Sequence, residues 1–564
     1  MSVSIRVLSV AAIVLGVIVG VVATSLDVSG VSSGAPSAAP SAGQSPAPSA
    51  AVPATLEDRV TKVAAGTRTS EASSIVARAP TVVLATHGAP RLPAAELALR
   101  LRVPLILAAP AGPAPSDAAS DGAADGAMST IRGLGVERAI VVGSDDVADV
   151  ARDSGVDDIT RVDVPPAYRS RARTLIRAAA RDAADALPLA GFDDAAIDDL
   201  IADPPPAAPA TRTAVLVRPR DAAALPLVVA AHAVGHAVVP TRADDLRADR
   251  RVVDRLSELG DRDRPPRIVL GGPRMADLEP QRVTAHLPTL ASGRQLPGGG
   301  QLVIDPARPH ARRYIGLYGV PSSPALGVLG EQPVEASVTR AKRLARQYRQ
   351  VTDDDITILP CFEIIATVAS ASAGPDGNYA NELAVAELEP AVAAAHEAGV
   401  YVLLDIQPGR TDFLTLARRY RRLLRQPHVG LALDPEWRLR PNEKHLRQIG
   451  SVGIAEVNEV ADWLANLVER NDLPQKMLLI HQFRLSMVRD RADLDTSRDE
   501  LAYVVQMDGQ GPQGTKLETW RSITATPPPG VQFGWKNFYD EDSPVRTPAD
   551  TMALSPPPVF VSYQ

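Results

Sequence analysis

Between Arg313 and Phe538 the chain repeats one kind of segment, a short apolar run that ends in a carboxylate, an amide or an aromatic. The clearest are Tyr401-Val-Leu-Leu-Asp405-Ile-Gln407, Val429-Gly-Leu-Ala-Leu-Asp434-Pro-Glu436-Trp437, Met477-Leu-Leu-Ile-His481-Gln482 and Leu501-Ala-Tyr-Val-Val-Gln506-Met-Asp508. A strand in a parallel sheet reads as a near-continuous apolar run because helices cover both faces. An α/β barrel gathers the polar groups at the ends of such strands around one mouth. Strands are expected at 314–318, 356–363, 401–407, 429–436, 477–482, 501–508 and 531–536, with helices at 338–349, 380–398, 413–424 and 454–470. One strand is then wanting for closure, and the proline-rich stretch 522–530 is the candidate; the other option is an irregular barrel. The region 306–564 has the size of one (β/α)8 barrel. The competing fold, an open doubly wound sheet, needs a switch point that the pattern does not display.

Side chains two apart share a face of a strand, so Asp434 pairs with Glu436, Asp405 with Gln407 and Gln506 with Asp508. Glycosidic cleavage needs a carboxyl acid and a second group that stabilises positive charge. Crowded carboxylates raise one another's pKa, which keeps one of them a proton donor. Glu436, Asp434, Asp405 and Asp508 are therefore the candidate catalytic residues, with Glu436 as acid. Tyr318, Glu363, Gln407, His481, Gln482, Gln506 and Trp535 are the candidate substrate-binding residues. No cofactor is implied, and no His/Asp cluster of ligand spacing points to a metal. Polar residues also end strands in any α/β protein, so a barrel that binds sugar without turnover is the competing reading.

The whole chain, 564 residues, exceeds a single core and implies several domains. Its net charge of −7, with no basic cluster interleaved with aromatics, argues against nucleic acid as a partner. The stretch Arg418-Arg419-Tyr420-Arg421-Arg422 reads as the solvated face of a helix. A single cysteine, Cys361, rules out an internal disulfide and reads as a small buried hydrophobe. Residues 1–26 carry the uncharged run Val7–Leu26, a signal peptide or an N-terminal membrane anchor. Residues 27–55, almost all Ser, Ala, Pro and Gly, read as a disordered tether. The expected location is extracytoplasmic, at the wall or on the outer face of the membrane.

Residues 56–305 alternate strand-like and helix-like runs, then repeat the order, which implies two similar α/β units of three layers. The residues carrying the repeat are Arg59-Val60, Val82-Val-Leu-Ala85, Val103-Pro-Leu-Ile-Leu107 and Leu134-Gly-Val-Glu-Arg-Ala-Ile-Val-Val-Gly143. Arg161-Val162, Ala214-Val-Leu-Val217 and Ile268-Val-Leu-Gly-Gly272 mark the second copy. These phrases resemble the cell wall-binding repeat of bacterial surface proteins, a resemblance that implies non-covalent association with wall polymer. Leu92-Pro93-Ala94-Ala95 lacks the Asp that the family carries there. His232 and His236, four apart around Gly235, read as packing residues at a helix end rather than metal ligands, and Gly271-Gly272-Pro273 as a tight turn.

Gly430-Leu-Ala-Leu-Asp434-Pro-Glu436-Trp437 is similar to the fourth-strand D-x-E signature of chitinase-like barrels and to the D-x-E strand of barrel-type wall lysozymes. The resemblance implies Glu436 as general acid and Asp434 as its orienting neighbour. Gly530-Val-Gln-Phe-Gly-Trp535 resembles the last strand of such barrels, whose aromatic lines the sugar floor. Val429 and Ala432 stand where the chitinase signature carries two further aspartates. The expected partner is a cell-wall polymer or other glycan, with the membrane reached through the N-terminal segment.

Overall fold

A computed structural model describes residues 59–564 apart from 64–74, 87–89, 109–120, 165–167, 169, 190–191, 193–198, 201–205 and 276. The candidate export segment and tether lie outside the described residues. Among those described, no helix is long and apolar enough to cross a membrane.

The N-terminal half holds two four-stranded sheets, both parallel throughout. The strands are β1 (Val60–Val63), β2 (Thr81–Thr86), β3 (Leu105–Ala108), β4 (Arg138–Val142), β5 (Asp158–Val162), β6 (Thr213–Val217), β7 (Ala237–Pro240) and β8 (Arg267–Gly271). One sheet runs β3-β2-β4-β5 and the other β7-β6-β8-β1. The two orders are equivalent, but the opening strand of each sequence copy has changed places. Val60 pairs with Ile268 in the second sheet, whereas Val162, at the head of the second copy, pairs with Val142 in the first. Two copies that each complete the other's edge cannot separate without exposing unpaired backbone. Helices Arg91–Leu101 and Leu225–Ala233 are buried along most of their length and share one core between the sheets.

The C-terminal half is a closed barrel. Its strands are β9 (Arg312–Gly319), β10 (Thr357–Ala369), β12 (Tyr401–Ile406), β13 (Val429–Leu433), β15 (Lys476–His481), β17 (Leu501–Met507), β18 (Gln532–Asn537) and β19 (Phe560–Tyr563). Each pairs in parallel with the next, and β19 returns to β9. A short β11 (Ala380–Glu382) adds antiparallel to β10, and β14 (Val452–Gly453) pairs with β16 (Val488–Arg489) outside the barrel. The strand expected within 522–530 is absent there: that stretch finishes helix Gln513–Thr524 and enters a turn, and closure comes from β19 at the end of the chain. The helix expected from 380 begins at Val385, because β11 occupies the first residues. Helices fill the connections except that between β15 and β17, which holds short 3-10 turns.

Strand alternation divides the barrel cleanly. Val402, Leu404 and Ile406 face the helix layer, while Tyr401 and Leu403 face inward beside Leu359, Cys361, Met477, Leu479, Val504 and Phe560. Cys361 is fully buried there, and burial pushes its thiol well above the ordinary value. Leu296, Val303 and Ile304, which precede the barrel strands, close the floor of this inner core. Gln475 locks them in place, its Oε1 accepting from the amides of Val303 and Ile304 at 3.0 Å each. A fragment starting at 306 therefore loses its floor. Three apolar side chains are worth about 1.5–3 kcal/mol each, so a 306–564 fragment should unfold at markedly lower urea than a 292–564 fragment. Equal midpoints would count against the floor.

The second N-terminal unit docks on the floor side. Asp499, in the loop leading to β17, meets Arg247 Nη2 at 3.0 Å, His286 Nε2 at 3.0 Å and Arg282 Nη2 at 3.3 Å. Burial alone would raise its pKa, but the His286 hydrogen bond and the arginine charges hold it well below the carboxylate range. The opposite end of the barrel, where the strands finish, carries the polar residues.

Candidate functional site

Parallel register brings the polar strand ends together. Tyr318 stands beside Glu363, His481 beside Gln506, Gln506 beside Gly534 and Lys536 beside Ser562. Tyr401, Leu403 and Asp405 follow one face of β12, so the alternation that buries two apolar side chains below carries a carboxylate into the layer above them. β13 ends at Leu433. Asp434 therefore points by a different device than the alternation expected from its sequence: it caps the 3-10 turn Pro435–Trp437, its Oδ1 accepting from the Glu436 amide at 3.2 Å.

His481 is the hub. Its Nδ1 lies 3.0 Å from Asp508 Oδ2, and its Nε2 lies 3.1 Å from Glu363 Oε1 and 3.5 Å from Asp405 Oδ1. A second chain runs from Gln407 Nε2, which donates to Tyr318 Oη at 3.1 Å, to the Tyr318 hydroxyl, which donates to Asp405 Oδ2 at 3.0 Å. Lys536 Nζ sits 3.3 Å from the centre of the Tyr318 ring. Gln506 Nε2 donates to Ser562 Oγ at 2.7 Å. Glu363, Asp405 and His481 are fully buried, while Glu436 is partly exposed.

Five carboxyl groups thus share the space with His481 and Lys536, with the exposed Arg484 also acting on Glu436, and this excess of carboxyls holds protons in the site. Burial raises Asp405 from 3.8 to about 6, with Glu363 adding to the rise and His481 opposing it. Burial, then the charge of Asp508, raises Glu436 from 4.5 to about 7. Asp434 is pushed well above its ordinary value by burial and by Asp405, Asp508 and Glu436, against the pull of His481. Burial would push His481 down, but Asp405, Glu363 and Asp508 outweigh it and hold it well above 6.5.

These shifts have one sign for stability. A raised carboxyl or imidazole binds more protons folded than unfolded, so stability falls as pH rises between the unfolded and folded values. For Asp405 that window runs from 3.8 to about 6, and for Glu436 from 4.5 to about 7. The depressed Asp499 works oppositely, and its contribution disappears on acidification below the ordinary carboxylate range. The site's share is read as a difference that cancels the opposite contribution of His428, which burial holds down to about 4: the thermal midpoint of Asp405→Asn relative to the parent should rise by several degrees between pH 4 and pH 7, as scanning calorimetry across buffers would show. A difference that stays constant across that range would contradict this arrangement.

Several polar atoms in the site are buried without a hydrogen-bond partner: both Glu363 oxygens, Asp405 Oδ1, Asp508 Oδ1, Gln506 Oε1 and His481 Nε2. His481 Nε2 lies within ion-pair distance of Glu363 Oε1, at 3.1 Å. Native interiors rarely leave such groups idle, and their concentration marks a place for waters or a ligand. Among the described residues no group of three or more His, Cys, Asp or Glu is arranged to hold a metal ion.

Two candidates fall elsewhere. Trp535 is fully buried on the outer face of β18, 5.6 Å from Trp520 of helix Gln513–Thr524, with its indole N–H on Asn537 Oδ1. It cannot line a sugar floor, because Gln532, Gly534 and Lys536 take the inward alternation. Gln482 turns away from His481 and accepts from Arg491 Nη1 at 2.7 Å. Lys536 and Ser562 were not singled out in the sequence; the signal was available in Val559-Phe-Val-Ser-Tyr563, an apolar run ending in polar residues. His232 and His236 have separate partners, Asp182 at 3.8 Å and Thr211 Oγ1 at 2.8 Å. Arg418, Arg419, Arg421 and Arg422 are exposed around a buried Tyr420, as a solvated helix face requires.

Fold and site together define a closed parallel α/β barrel whose C-terminal mouth holds a proton-retaining network of carboxyl, imidazole and amine groups. No family model matches the chain, and a search of curated proteins returns no match.

Proposed function

We propose that the barrel cleaves glycosidic bonds by acid assistance, in an exported protein held at the cell wall. The observation that carries this reading is Glu436: its carboxyl keeps a proton to about pH 7, and it is partly exposed at the mouth. Such an acid gives its proton to the glycosidic oxygen as the bond to the anomeric carbon lengthens. Asp405 and Asp508 face the positive charge that develops, and Asp434 orients the acid. Water then adds hydroxide to the anomeric carbon and returns its proton to Glu436. Wall attachment through the two N-terminal units rests on their resemblance to wall-binding repeats, and the second unit's docking on the floor side leaves the mouth free for polymer.

A barrel that holds glycan without cutting it is the second reading, favoured by the complete burial of Glu363, Asp405 and His481. The two part on one experiment with the full chain: release of reducing ends from purified wall polymer as a function of pH. Cleavage predicts release that declines above about pH 7, as Glu436 loses its proton. No release at any pH, with the protein still sedimenting with the polymer, would leave the binding reading.

A further inference from the structure

On the flank of the mouth, the loops after β12, β13 and β15 border a cavity of about 350 Å³. Its walls include Arg410, Arg438, Arg440 and Arg489, against the single carboxylate of Glu456. Four guanidinium groups around one carboxylate leave a net positive cavity, and the hydrogen bonds show which donors are spent. Arg438 is committed to the wall: Nε and Nη2 grip Glu456 at 3.0–3.2 Å, and Nη1 donates to the carbonyls of Arg410 and Leu439. Arg489 uses only Nη1, on Ser451 Oγ at 2.5 Å. Arg410 is stacked on the Tyr379 ring at 4.5 Å and gives Nη2 to the Glu443 carbonyl, while its Nε is buried without a partner. Arg440 is exposed.

A backbone feature converges on the same cavity. Helix Ile454–Arg470 starts at its wall with Gly453 as N-cap, so no side chain satisfies the first-turn amides. The β14–β16 pair sets Gly453 beside Arg489, and Arg489 Nη2 lies 3.4 Å from where a Cβ on Gly453 would stand. Guanidinium donors beside an uncapped helix N-terminus, that of Arg410 held on Tyr379 and those of Arg440 and Arg489 open to solvent, form an arrangement suited to a compact oxyanion.

We infer that this cavity binds a phosphate group. The segment Asp434–Arg440 carries Glu436 toward the mouth and Arg438 toward the cavity, and the Gly450 amide ties the two by donating to the Glu436 carbonyl at 2.7 Å. A phosphate borne on a polymer in the mouth would therefore lie beside the acid, whereas free inorganic phosphate would occupy the same donors alone. Phosphate binding at these donors requires no glycoside cleavage.

The test is titration calorimetry on the full chain with inorganic phosphate and, separately, with glucose 1-phosphate, at constant ionic strength set with sodium chloride. Saturable binding is expected for both. A tighter constant for the sugar phosphate would assign the site to a substrate-borne group, and equal constants would assign it to the free anion. Arg489→Glu should weaken binding at least about tenfold by reversing one charge. Gly453→Asp should do the same by placing a carboxylate on the helix amides, while its thermal midpoint holds or rises because Asp is a favoured N-cap. The one heavy atom close to the new Cβ is Arg489 Nη2 at 3.4 Å, an ordinary contact, so the substitution fits. Absence of saturable heat with either probe, or binding unchanged in both variants, would overturn the site.

Discussion

Glu436→Gln should lower reducing-end release from wall polymer by about 10²–10⁴-fold, the usual worth of a positioned general acid. The substitution is close to isosteric and leaves the backbone bonds of residue 436 intact, namely its amide on Asp434 Oδ1 and its carbonyl under the Gly450 amide. What disappears is a carboxyl that holds its proton to about pH 7. The thermal midpoint at pH 7 should rise slightly rather than fall, since a neutral amide replaces a group that ionises unfavourably beside Asp508. A second readout separates acid catalysis from mere positioning. An aryl glycoside whose phenolate leaves without protonation should lose far less rate than the polymer, because the missing proton matters only for a poor leaving group. Equal losses on both substrates would mean that Glu436 places the sugar rather than protonating it. An unchanged rate on the polymer would remove it from the mechanism.

His481→Gln should cost about 3–5 kcal/mol at neutral pH, the range expected when one partner of a buried charged cluster is removed. Glu363, Asp405 and Asp508 all approach the His481 ring within 3.5 Å, and Lys536 is the other cation of the cluster. With the imidazolium gone, the carboxyls must either remain charged in an apolar barrel or take up protons. The second course is available at low pH, so the deficit in urea-measured stability should shrink by more than half between pH 7 and pH 4.5, about the ordinary carboxyl range. Combining His481→Gln with Glu363→Gln should restore part of the loss, giving a coupling energy of about 1–3 kcal/mol. A cost below about 1 kcal/mol at pH 7, or strict additivity in the double variant, would show that the cluster is hydrated and its charges screened.

The contrast between Asp405 and Asp434 shows how far the pattern of residues reaches. Asp405 is the fifth residue of a six-residue strand whose odd positions all face inward, so its direction was legible from period two alone. Asp434 reaches the same site because Pro435 begins a 3-10 turn that it caps, a local event that alternation does not encode. Trp535 fails for the complementary reason. It resembles a sugar-lining aromatic by position in its strand, but Trp520 and Phe533 offer it an apolar slot on the helix side. Burying an indole there stabilises the barrel more than exposing it at a polar mouth would.

The apolar runs and their carboxylate ends by themselves determined a parallel α/β architecture and most of the residues at its mouth, because burial on both faces imposes a composition that survives in one dimension. Closure, the exchange of β1 and β5 between the two N-terminal sheets, and the role of His481 as hub were decided only in three dimensions. Strands β1 and β19 are four residues each, too short for periodicity to mark; β1 takes the open edge beside β8, and β19 fills the gap between β18 and β9. The charge of His481 depends on Asp508, Glu363 and Asp405 converging on its ring within 3.5 Å, from positions up to 118 residues away in the chain (481 − 363). Coulomb energy falls with distance through space and is indifferent to separation along the chain.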